Sequence, residues 1–251
     1  MPFTGPGGVG DARIMIEQVE PKKFELLEGF RYTRGATGEA FDVTPAGLKE
    51  TDLTSVPFLF RWFVNAYGRH TLPALLHDCL IRGKCAKTAS PRATPPTRAE
   101  ADDIFLEALT DEEVPFIRRH LMWAAVTFNT RIRYERTSVK VAMWLWVAFA
   151  LTGTTLVFAP WWCSWFDWFP HLGPIPLLSV AAILAPNAGA RLWGSKYRAG
   201  WWFSNGIPLL GPPGVVVLVW FGAYKGLEEA YRRTFPSKFG KTSPPPSVKD
   251  F

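Results

Sequence analysis

Between Val141 and Phe166 the chain carries no charged side chain, and this run limits the possible folds more than any other feature. Arg131, Arg133, Arg136 and Lys140 stand just before it, and Trp161, Trp162, Trp165 and Trp168 crowd its far end. A membrane span needs about 20 mainly apolar residues, and spans favour basic flanks and interfacial tryptophans. A helix buried in a protein core is the competing reading. The flanks favour the span, so the sequence predicts a transmembrane helix here.

Two more apolar runs follow. Leu172 to Ala190 holds Pro174, Pro176 and Pro186 and reads as a weaker span. Ala199 to Tyr224 is interrupted by Gly211-Pro212-Pro213-Gly214, where proline lacks the N–H that a helix interior uses. Basic residues fall at 191, 196 and 198 and again after Tyr224, while the loop after the first run has no Lys or Arg. The positive-inside rule then places the N-terminal domain and the tail in the cytoplasm. The predicted fold class is an α+β soluble domain, a short β-ribbon followed by packed helices. It is joined to a helical membrane region of two spans plus a re-entrant or third span. The predicted boundaries are a flexible N-terminus over 1–22, a soluble domain over 23–136, a transmembrane region over 137–224 and a basic, disordered tail over 225–251. The predicted localisation is integral membrane.

The net charge of +6 needs no nucleic acid to explain it, because basic residues cluster at the ends of the apolar runs. The lipid bilayer is the expected partner and nucleic acid is not. A homo-oligomer is the other partner this reading allows. The three cysteines, Cys79, Cys85 and Cys163, form no C-x-x-C pair, so neither a disulfide framework nor a structural zinc site is expected. Cys79 and Cys85 are expected as buried free thiols. No basic and apolar leader opens the chain, so no signal peptide is expected.

In the first half, Lys23–Tyr32 partly alternates apolar and polar residues, which predicts a strand, and Glu39–Val43 returns as a second. Leu72, Leu75, Leu76, Cys79 and Leu80 recur at helical spacing over Thr71–Arg82, and Gly83 ends that helix. Thr97-Arg98-Ala99-Glu100 is a capping box that opens the next helix, whose inner stripe is Ala101, Ile104, Phe105, Ala108 and Leu109. A further helix starts near Pro115 and continues toward Arg131.

His77 and Asp78 lie mid-helix, and Asp102 borders the stripe of the following helix. If the two helices run antiparallel, Asp102 can hold one nitrogen of the His77 imidazole, leaving the other to take a proton from water. Asp78 would remain as a hard oxygen ligand for Ca²⁺. Buried hydrogen bonding with no catalysis is the competing role for the same residues.

The ordered motifs Phe30-Arg-Tyr32, Thr44-Pro-Ala-Gly47, Thr51-Asp-Leu-Thr-Ser-Val-Pro57, Tyr67-Gly-Arg69, Leu76-His-Asp78 and Arg98-Ala-Glu-Ala-Asp102 with Phe105 resemble domain-of-unknown-function family 1353. The resemblance implies a phage or prophage setting, with a host or phage membrane protein as a further partner, and no established activity. A Cys-Leu pair after His-Asp departs from the family's usual aromatic. More locally, His77-Asp78 followed by Ala101-Asp102-Asp103-x-Phe105 is similar to the two helices of phospholipases of the A-two class. That similarity implies His77 as the base, Asp102 as its orienting partner, and Asp78 with Asp52 as calcium ligands. Two functions follow. One is a phage-type integral membrane protein with a cytoplasmic domain of unestablished activity. The alternative is a membrane-attached, Ca²⁺-dependent, phospholipase-like ester hydrolase.

Overall fold

The computed structural model describes residues 2–20, 23–48, 68–83, 85–89, 95–165, 184 and 186–234. The chain divides into two compact units, one of residues 1–95 with 210–251 and one of residues 96–209.

The first unit is built on antiparallel strands. Strands β1 (Phe3–Thr4), β4 (Phe30–Thr33), β5 (Ala40–Val43) and β6 (Ala86–Ala89) form one sheet in the order β1-β4-β5-β6, and β2 (Ile16–Glu20) pairs with β3 (Lys23–Leu26) separately. Tyr32 lies opposite Phe3 and Phe41, and Phe30 lies opposite Val43. Directly paired residues share a face, so these five buried side chains make one apolar layer. On the other face Arg31 lies opposite Asp42 and grips it with two hydrogen bonds of 2.7 and 3.0 Å. The single strand expected over Lys23–Tyr32 divides into β3 and β4. At the break, a Cβ on Gly29 would stand 2.6 Å from the Val43 carbonyl oxygen, so only glycine lets the two backbones approach this closely.

Helix α1 (Thr71–Ile81) follows the predicted spacing and packs against β5, burying Leu75, Leu76 and Cys79. Gly83 ends it with a φ of +64°, a left-handed conformation that glycine adopts without steric cost.

The second unit is helical. Helix α2 (Arg98–Asp111) opens on the predicted capping box: the Glu100 N–H donates to the Thr97 hydroxyl, and the Thr97 N–H donates to the Glu100 carboxylate at 2.8 Å. Its whole predicted inner stripe is buried. It closes with Glu113 at a φ of +53°, where the Glu113 N–H donates to the Thr110 carbonyl and the Val114 N–H to the Leu109 carbonyl. This pair of bonds is the Schellman closure of a helix. Helix α3 (Phe116–Tyr134) returns antiparallel to α2, and helix α4 (Thr137–Trp165) follows.

A tight 3-10 turn over Ala190–Lys196 leads into helix α5 (Tyr197–Thr234), which belongs to this unit as far as Leu209. Trp146, Trp193, Phe128 and Phe203 join in one aromatic cluster, with Trp146 stacked on Phe203 at 5.4 Å and edge-on to Trp193 at 5.3 Å. Ser204 serves this cluster. It accepts the Trp146 indole N–H at 3.1 Å, and its own proton is placed between the carbonyls of Pro186 and Gly200 at 2.9 and 2.8 Å.

The membrane region expected from the sequence is overturned. Among the described residues no helix is long and apolar enough to cross a membrane. The two-spans-plus-re-entrant fold class, the integral-membrane localisation and the cytoplasmic topology built on it are corrected accordingly. The first apolar run supplies α4, which sends Met143, Trp146 and Ala150 into a protein core. The third run does not break at Gly211-Pro212-Pro213-Gly214, because α5 continues through it. Proline loses one helix hydrogen bond but keeps a φ near −65° that a helix accepts. Most of the second run, Trp168, and the basic tail beyond Thr234 lie outside the described residues.

Candidate functional site

The sequence singled out His77, Asp78, Asp102 and Asp52. His77 and Asp78 are adjacent and half-buried on α1. The Asp78 carboxylate faces the guanidinium of Arg82 one helical turn on, at 3.9 Å, with both side chains partly in solvent. A pair of this kind contributes little to stability. Asp102 belongs to the other compact unit, and Asp52 lies outside the described residues. Among the described residues no group of three or more His, Cys, Asp or Glu side chains could hold a metal ion.

Asp102 is 1% exposed, and the hydroxyl of Thr130 on α3 donates to its carboxylate at 3.0 Å. Asp102 stands close enough for its charge to act on Arg131. Burial pushes the Arg131 guanidinium down from its ordinary value, and the negative charges of Glu135 and Asp102 oppose that shift. Asp102 thus ties α2 to α3. Thr127 and Thr130 are both buried on α3, and only the packing of α3 on α2 selects Thr130 as the partner. The neighbouring Asp103 on α2 is exposed and meets the ammonium of Lys196 at 2.6 Å.

Near the end of α1 the thiol of Cys85 is in hydrogen-bond contact with Cys79. Cys79 is fully buried, Cys85 is half-buried, and both are free thiols, as expected from the sequence. That hydrogen bond, then burial, then the charges of Cys79 and Asp42 push the Cys85 thiol far above its ordinary range.

The feature sequence reasoning missed is the outer side of α4. Val141, Trp144, Leu145, Phe149 and Leu151 are 53%, 60%, 51%, 49% and 61% exposed. At about 100° per residue they occupy an arc of roughly 160°, opposite the buried Met143, Trp146 and Ala150. No charge interrupts the strip. The run is apolar on every side, so its composition gave no stripe to mark which face the protein covers.

Comparison with known proteins adds one finding. No curated protein and no solved structure matches the chain. Residues 24–126 match the family described as Protein of unknown function (DUF1353), which reaches from β3 through α1 and α2 into α3. The match assigns no activity and lends nothing to the phage setting or the phospholipase likeness. The ester-hydrolase alternative is corrected with the membrane reading it depended on. Over residues 24–126 the chain is thus similar to the DUF1353 family.

Proposed function

We propose that the chain is an assembly subunit that pairs with a second copy of itself through the outer face of α4. The observation that carries this reading is the exposure of five large apolar side chains, Val141, Trp144, Leu145, Phe149 and Leu151, on one uncharged face. Apolar surface removed from water gains about 25 cal/mol per Å². Half-exposed side chains of this size leave on the order of 500 Å² per copy. That is the upper end of what single proteins expose and more than half of the roughly 800 Å² per partner in a standard interface.

A second copy suits the strip because a two-fold interface joins a patch to itself. Antiparallel pairing of the two α4 helices would set the basic end, with Arg136 and Lys140, against the uncharged Phe149–Leu151 end of its copy. Like charges are then kept apart. A helix that is apolar all round is rarely left half in water, so the exposed half calls for cover.

Sedimentation of the full chain across micromolar concentrations tests the reading. A concentration-dependent dimer is expected, with Trp144→Glu weakening it by tenfold or more and Leu145→Glu doing the same. A monomer at all concentrations would overturn the proposal, as would a dimer indifferent to both substitutions. A chain that stays monomeric but floats with lipid vesicles through the same face would also overturn it.

A further inference from the structure

From Leu210 onward α5 belongs with the first unit, and its last turns carry an apolar strip of their own. We infer that Trp220, Tyr224, Leu227 and Tyr231 form a helix-pairing seam, whose occupant is the same stretch of α5 from a second copy, laid antiparallel.

The spacing carries the inference. The four residues follow one another at steps of four, three and four. At about 100° per residue they fall within an arc of roughly 60°. A stripe this narrow, stepping alternately by three and four, is the seam of a two-helix coiled coil, whereas a helix lying on a globular core shows a broader apolar face. The strip is also open to solvent. Trp220 is 72% and Leu227 73% exposed, and Tyr224 and Tyr231 are exposed as well. Side chains of this size at such exposure leave on the order of 500 Å² per copy. Two strips together then bury about 1,000 Å², the range of a weak, reversible interface.

The rest of the helix is arranged around this strip. Lys225, Glu229 and Arg233 follow one another a turn apart on the opposite side. The Arg233 Nε–H donates to the Glu229 carboxylate at 2.8 Å, and the Lys225 ammonium stands 5.6 Å from the centre of the Phe221 ring. These charges thus interact within the helix, away from the strip. Ala223 and Ala230, both exposed, border the strip on one side, and a Cβ added to Gly226 would meet nothing within 4 Å. A flank without bulk lets a second helix axis come close.

Register and charge select the occupant. A seam of this repeat is filled by a helix with the same repeat, and a two-fold interface joins a patch to itself. Antiparallel pairing centred between Lys225 and Gly226 sets Trp220 of one copy beside Tyr231 of the other, and Tyr224 beside Leu227. Residues 215–224 carry no charge, so the end with Arg233 lies along the uncharged start of the other strip. Parallel pairing would instead bring the two Arg233 ends together. The seam needs no pairing through α4. Where both faces act, which rests on the proposed function, a pair made through α4 still offers two α5 seams and further copies add to it.

The test is sedimentation of the full chain carrying Trp144→Glu, which removes the α4 contribution, from low to high micromolar concentration. The expected result is a dimer that appears only toward the high end. Leu227→Glu on that background should weaken it by at least tenfold, Trp220→Glu should do the same, and Lys225→Ala on the far side should leave it unchanged. In the parent chain Leu227→Glu should remove only species larger than the dimer. If Trp144→Glu leaves association as it was, the α4 reading falls, and Leu227→Glu still decides this one. A Trp144→Glu chain that is monomeric throughout would overturn the inference, as would a dimer indifferent to both Leu227→Glu and Trp220→Glu. So would a monomer that floats with phosphatidylcholine vesicles and loses this on Leu227→Glu.

Discussion

Thr130 donates its hydroxyl proton to the buried carboxylate of Asp102 across 3.0 Å, joining the end of α3 to the start of α2. A hydrogen bond to a charged acceptor contributes about 1.5–3 kcal/mol, and a buried carboxylate that loses one is left under-solvated. Thr130→Val, which keeps the side-chain shape, is therefore expected to lower unfolding free energy by about 2 kcal/mol in urea titration. No change in the midpoint would show that Asp102 does not depend on this bond.

Ser204 concentrates three polar contacts beside the aromatic cluster. Ser204→Ala removes the acceptor of the Trp146 indole N–H, which is buried and cannot turn to water. The expected loss is about 1–3 kcal/mol, with a shift in tryptophan emission as the Trp146 environment loosens. Unchanged emission and stability together would count against Ser204 as the fixed point of the cluster.

Two backbone positions on helices make opposite predictions. At Glu113 the chain adopts a φ of +53° that disfavours a side chain. Glu113→Gly should raise stability by about 0.5–1 kcal/mol. At Gly200 an added Cβ would stand 2.6 Å from the ring of fully buried Trp193. Gly200→Ala should therefore destabilise by about 1–3 kcal/mol, although alanine is the better helix former. Thermal melts of the two variants should move in opposite directions.

The Cys85 thiol titrates above its ordinary range, first because of its hydrogen bond to Cys79, then because of burial and the charges of Cys79 and Asp42. The unfolded chain releases this proton near pH 8.5, while the folded chain still holds it. Above that pH the folded state binds more protons than the unfolded state, so stability falls as pH rises. The stabilising contribution is fully present below about pH 8.5 and is lost progressively above it. Urea titrations from pH 7 to 10 should show the decline. Cys85→Ser should flatten it relative to the parent chain, and equal slopes in the two would refute the shift.

Local chemistry was the readable part of this chain. The Thr97 to Glu100 box, the stripe from Ala101 to Leu109, the spacing along α1 and the glycine after it all rest on contacts within a few residues. The return strand at Glu39–Val43 and the family match over residues 24–126 rest on short ordered motifs. The partner of Asp102 was not readable in this way. Thr130 lies 28 residues further on, and no short spacing distinguishes it from other polar residues of α3.

By itself the sequence marked the uncharged apolar run from Val141 as a helix that seeks cover from water, because its length exceeds that of a strand and no charge favours solvent. Tertiary structure alone decided where that surface goes. Apolar side chains leave water for a protein interior as readily as for lipid, so hydropathy cannot separate the two. Only the packing of Met143, Trp146 and Ala150 against Trp193 and their neighbours divides α4 into a covered face and an open one.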